Sequence, residues 1–201
     1  MIFILGRCDA VHDCLYGRRI RDARQVGTHL VPELLAGPQY MAFGNDARFH
    51  GCRRIEECPA LPGSPAALRE AFDTLYAQAE AQLSAVDWPQ YDDVLFLSKS
   101  IGTAVSAAFA QRHGIPCRQI LYTPLSLTFA FAPQNVLAFL GTADPWSDAF
   151  SVAAAARANG TPLFLYENAN HSLETGDVLH DLATLQDVMQ KTQTFITDTP
   201  H

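Results

Sequence analysis

Short, mostly apolar runs recur along this sequence at Ile2–Leu5, Asp93–Leu97, residues 118–123, residues 136–140 and Leu163–Tyr166. They lack the strict alternation of a half-exposed strand, so they read as strands covered on both faces, as in a parallel sheet. Met41–Phe43, closed by Gly44-Asn45-Asp46, adds a further short strand. Helical spacing fills the intervals. Ser64 as N-cap and Pro65 at the first helical position open a helix to about Val86, with Leu68, Phe72, Leu75, Tyr76, Ala79 and Leu83 at helical spacing. Trp88-Pro89 ends it. An Ala-rich helix, Ala104–His113, stops at Gly114; others are expected around 147–159, closed by Gly160, and over 178–195. Residues 12–26 predict an Arg-rich helix and 50–65 a loop. This alternation implies an α/β fold, a doubly wound, mostly parallel sheet of about six strands with helices on both faces.

A chain of 201 residues, 48% of them hydrophobic, can bury one sizeable core, so residues 1–201 are expected to form a single domain. Charged residues make up 17% and mean hydropathy is +0.01, which excludes a disordered chain. A net charge of −7 argues against nucleic acid or an anionic membrane as the main partner. Residues 1–60 nevertheless carry eight arginines against seven acidic residues, a pattern that reads as a solvated surface rather than a binding patch.

Met1–Leu5 has no basic stretch before it, as a signal peptide would, and no run of eighteen apolar residues occurs, so a cytoplasmic protein is expected. Five cysteines (Cys8, Cys14, Cys52, Cys58 and Cys117) without a C-x-x-C pair suit free thiols. Cys8, Asp9, His12, Asp13 and Cys14 crowd potential metal ligands, with His50, Cys52 and Cys58 further along. Their spacing is looser than that of a structural zinc site, so neither metal nor cofactor is expected.

In a parallel sheet, reactive groups gather outside the carboxyl ends of the strands. Ser100, Asp144 and His171 each follow a strand there. Serine is a weak nucleophile until a base takes its proton, and a carboxylate that fixes the tautomer of a histidine makes that base effective. A sharp strand-to-helix turn also needs small residues two positions either side of the nucleophile. Ser100 has Ser98 and Gly102 there, whereas Ser98 would have Phe96. Asp148 competes with Asp144, but a place in the first turn of the next helix suits it better. Lys99 is expected in solvent; projecting beside the nucleophile, it would favour an anionic substrate group.

Three segments, Ser98-Lys99-Ser100-Ile101-Gly102-Thr103, Leu140–Trp146 and Asn168–Glu174, resemble motifs of the α/β-hydrolase superfamily, in its chain order of Ser, Asp, His. The likeness is greatest to a small lidless bacterial type with a K-S-I-G-T elbow; Ser98 replaces the usual first glycine. The resemblance implies Ser100 as nucleophile, His171 as base and Asp144 as its orienting acid. It also implies two backbone oxyanion donors, Ile101 and, after the first strand, Arg7, where Leu5-Gly6 replaces the common His-Gly pair. Residues 124–135, about a dozen, stand where a lid would be inserted. A shallow, open site is therefore expected.

The resulting expectation is a serine hydrolase that acts on a small-molecule carboxylic ester, thioester or activated amide. A Rossmann-type nucleotide-binding or transferase domain is the alternative, but there is no G-x-x-x-x-G-K-[ST] and Gly6 belongs to no G-x-G-x-x-G. A non-catalytic binding protein on the hydrolase fold is a third reading.

Overall fold

The computed structural model describes residues 2–7, 40–45, 65–84 and 86–197. In chain order the elements are β1 (Ile2–Arg7), β2 (Tyr40–Asn45), α1 (Pro65–Leu83), β3 (Leu95–Lys99), α2 (Ile101–His113), β4 (Arg118–Tyr122), β5 (Val136–Gly141), α3 (Ala149–Ala158), β6 (Leu163–Tyr166) and α4 (Val178–Thr197). The six strands form one sheet in the order β2-β1-β3-β4-β5-β6, every neighbouring pair parallel. All carboxyl ends therefore lie along one edge. The strand order reverses direction between β1 and β3, the kind of switch point beside which open parallel sheets bind ligands. The predicted Arg-rich helix 12–26, the loop 50–65 and the Ser64 cap lie outside the described residues.

Successive side chains of a strand point to opposite faces, and β3 shows how each face is filled. Phe96 packs with Phe72, Tyr76, Leu83, Val105 and Phe109 of α1 and α2, while Leu95 joins Ile120, Leu137, Phe139 and Val188 beneath α4. Helix α2 is buried from Ile101 through Ala110, which explains its composition. A helix enclosed on all sides must be apolar all round, and its alanines let neighbours approach. Its few polar groups are paired: Thr103 Oγ1 lies 2.7 Å from Thr128 Oγ1, and Ser106 Oγ lies 2.9 Å from Ser98 Oγ. Gly114 ends the helix at φ 61°, in the left-handed region that glycine enters without strain.

Strand β3 runs two residues beyond the predicted end at Leu97. Ser98 extends it because Ser106 satisfies its hydroxyl, and Lys99 pairs in register with Tyr122. Lys99 is buried, so its expected exposure to solvent is not found. In the predicted lid-free connection, Ser126–Phe131 forms a 3-10 segment whose Thr128 and Phe129 are buried. At the other end of the sheet, Arg118 reaches both oxygens of Asp93 and donates to the carbonyls of Phe195 and Ile196, which holds the end of α4 against β4.

Candidate active site

The turn from β3 into α2 is a single residue, Ser100, held at φ 57° and ψ −133°. A non-glycine residue in that region is strained, and strain of about 1–3 kcal/mol persists where the surroundings enforce it. Here the Ser100 N–H donates to the Tyr122 carbonyl at 2.9 Å, and its own carbonyl accepts from the Thr103 amide and hydroxyl. The residue is thus pinned from β4 on one side and from α2 on the other. Ile101 begins α2, and its N–H belongs to the first turn, whose donors have no carbonyl within the helix.

Asp144 and His171 come from the ends of β5 and β6, and the structure brings them together. His171 Nδ1 lies 2.8 Å from Asp144 Oδ2, with the carboxylate side chain fully buried and the imidazole 18% exposed. An ionised carboxylate only accepts, so Nδ1 donates this bond, and in the neutral imidazole that leaves the lone pair on Nε2. The other oxygen, Oδ1, accepts from the Trp146 amide at 2.9 Å. The Trp146 indole, about half exposed, meets the imidazole edge-on with ring centroids 6.5 Å apart. Asp148 caps α3 instead, accepting from the Ser151 amide.

The loop that presents His171 is shaped by Asn170. Its side-chain oxygen accepts from the amides of Ser172 and Glu174, and its backbone N–H donates to the Glu174 carbonyl at 2.8 Å. Beyond it, Asp181 on α4 gathers the Thr175 amide and hydroxyl and the Gly176 amide. Those bonds, the Thr175 amide foremost, hold the Asp181 carboxyl below the usual range. The sequence assigns no role to Asn170, Trp146 or Asp181, although Trp146 and Asn170 lie within the segments Leu140–Trp146 and Asn168–Glu174.

Ser100 Oγ is buried and makes no hydrogen bond among the described residues, so the serine–histidine bond of a charge-relay triad is not formed in this structure. Ser100 itself is 1% exposed. Strand β3 lies in the interior of the sheet, so its end is flanked by strands on both sides. Arg7 ends β1, the neighbour of β3 on the side away from β4, and Leu5 pairs in register with Ser98. Its backbone therefore reaches the same edge as Ser100.

Among the described residues no His, Cys, Asp and Glu side chains cluster as a metal site, and no helix is long and apolar enough to cross a membrane. The crowded Cys8–Cys14 segment, with His50, Cys52 and Cys58, lies outside them.

Solved structures similar to this one share the architecture along nearly the whole chain. A protein described as a hydrolase of the α/β superfamily from Xanthomonas campestris pv. campestris matches with TM-score 0.54 and 18% identity, over 96% of this chain and 98% of that one. This chain has the α/β-hydrolase fold. An α/β serine hydrolase homologue from Coxiella burnetii matches with TM-score 0.55 and 16% identity, over 95% of this chain and 84% of its own. A serine hydrolase without a lid from Xanthomonas campestris matches with TM-score 0.50 and 14% identity, over 99% and 84%. No protein-family model and no curated protein matches the sequence. On the α/β-hydrolase fold, Ser100, Asp144 and His171 follow β3, β5 and β6 in the chain order that the sequence motifs implied.

Proposed function

We propose that the protein is a serine hydrolase that cleaves a small carboxylic ester or thioester through an acyl-enzyme on Ser100. The observation that carries this reading is the Asp144–His171 hydrogen bond, formed at the same sheet edge as a serine in a strained strand-to-helix turn. His171 Nε2 takes the proton from Ser100 Oγ as the oxygen attacks the acyl carbon, and Asp144 stabilises the imidazolium that results. The amides of Ile101 and Arg7 hold the developing oxyanion. Collapse of the tetrahedral intermediate expels the alcohol or thiol, which takes its proton from His171. Water, deprotonated by the same histidine, then releases the acid and restores Ser100.

This mechanism requires His171 Nε2 to reach Ser100 Oγ when substrate is bound, a bond that commonly tightens only in the complex. Hydrolysis of p-nitrophenyl acetate by the parent protein and by His171→Ala tests it. The parent is expected to release an early burst of p-nitrophenol and then turn over, with His171→Ala slower by at least about a thousandfold. Equal rates in the two proteins would overturn the proposal.

A further inference from the structure

Thr123, immediately after β4, combines two unfavourable features. Its φ is 45°, a region that β-branched residues almost never occupy, and Pro124 follows it. Its side chain is wholly buried, yet Oγ1 makes no hydrogen bond among the described residues. Comparable buried hydroxyls are satisfied: Thr103 by Ser100 O and Thr128, Ser98 by Ser106, and Thr192 by Tyr122. An orphaned hydroxyl and a strained backbone at one residue are features that persist mainly at functional sites.

Its position supports such a role. Lys99 and Tyr122 are register partners, so Ser100 and Thr123 stand side by side one step beyond the ends of β3 and β4. The carbonyl that binds the Ser100 amide belongs to the peptide joining Tyr122 to Thr123. Both residues have positive φ, and both hydroxyls are buried without a partner. Thr123 is also tied toward Asp144: its amide donates to Phe139 O of β5 at 2.7 Å, and Pro124 O accepts from Ser147 Oγ. The remaining buried atom without a partner, Gln119 Oε1, belongs to the opposite end of β4, away from this edge.

We propose that Thr123 is a substrate-binding residue whose hydroxyl hydrogen-bonds an oxygen of the acyl compound held against Ser100. This rests on Ser100 being the nucleophile. Ser100 and Thr123 are neighbours across adjacent strands, so a substrate bound at Ser100 lies within one strand spacing of the Thr123 backbone.

Thr123→Val keeps the shape and the β-branch and removes only the hydroxyl. Because that hydroxyl has no partner to lose, Tm is expected to hold or rise. The value of kcat/KM for p-nitrophenyl acetate is expected to fall at least about tenfold, and Thr123→Ser to restore it. Full activity in Thr123→Val overturns the proposal, as does a joint loss of Tm and activity that Thr123→Ser fails to rescue. Fluorophosphonate labelling of the same samples separates the two claims. A parent labelled at Ser100 alongside a fully active Thr123→Val overturns the role of Thr123 alone; an unlabelled parent overturns the serine hydrolase and this inference with it.

Discussion

The carbonyl oxygen of Ala169 occupies the space that a β-carbon on Gly141 would need. Gly141 ends β5 three residues before Asp144, and Ala169 stands two residues before His171. The Ala143 amide donates to that same Ala169 oxygen at 2.9 Å, and the Thr142 hydroxyl accepts from the Asn168 amide at 2.8 Å. The acid loop and the histidine loop are thus joined by a backbone bond and by the Thr142 hydroxyl. The Asp144–His171 bond depends on how closely they approach.

Gly141→Ala is therefore expected to force the two loops apart. The added carbon would also stand 2.6 Å from the Asn170 carbonyl oxygen, and backbone on both sides has little room to yield. Overpacking of this kind costs about 1–3 kcal/mol. Urea denaturation should show a loss in that range, and ester hydrolysis should fall further than the stability loss alone accounts for. A variant with the parent's midpoint and activity would contradict the packing account.

In the proposed mechanism, Asp144→Asn removes the charge assigned to stabilising the His171 imidazolium and offers an amide that can favour the wrong tautomer. Turnover is expected to drop by about 10³–10⁴. Asp148→Asn, which alters only the cap of α3, is expected to leave turnover close to that of the parent. Steady-state kinetics on both variants decides between the two carboxylates, and the reverse pattern would move the acid to Asp148.

Glu80 gives a pH-dependent prediction. Its carboxylate receives hydrogen bonds from His113 Nε2 and the Tyr76 hydroxyl, both at 2.8 Å, and the His113 bond foremost holds its pKa below the ordinary 4.5. A carboxyl depressed in the folded state stabilises fully above its unfolded pKa, and that contribution fades as pH falls through the lower folded value. Chemical denaturation of the parent and Glu80→Gln from about pH 5 down to 3 should show a stability gap that narrows as the pH falls. A gap independent of pH would contradict the assignment.

Burial pushes the Cys117 thiol up to about 12. The thiolate is the reactive form, so this cysteine should resist iodoacetamide at pH 8 in the native protein and react once urea unfolds it. Peptide mapping after each treatment reads the result directly.

Much of this arrangement is legible in the sequence because it rests on local rules. Buried parallel strands need uninterrupted apolar runs, and a one-residue turn needs small flanks, which singled out Ser100 over Ser98. Other features depend on contacts that residue type does not announce. Strand β3 continues through Ser98 because a serine eight residues later satisfies it. Lys99 looks solvent-bound by type but lies inside the sheet. Gly141 reads as a strand end, while its close approach to Ala169 appears only when the two loops meet. Thr123 looks like the last residue of a β-strand, and its positive φ belongs to the turn beyond β4.

Whether Ser100 is an activated nucleophile is tested most directly by fluorophosphonate labelling with mass-spectrometric mapping. Labelling is expected on the peptide that holds Ser100, strongly reduced in His171→Ala and absent in Ser100→Ala. An unlabelled parent protein, or equal labelling of Ser100→Ala, would contradict the account.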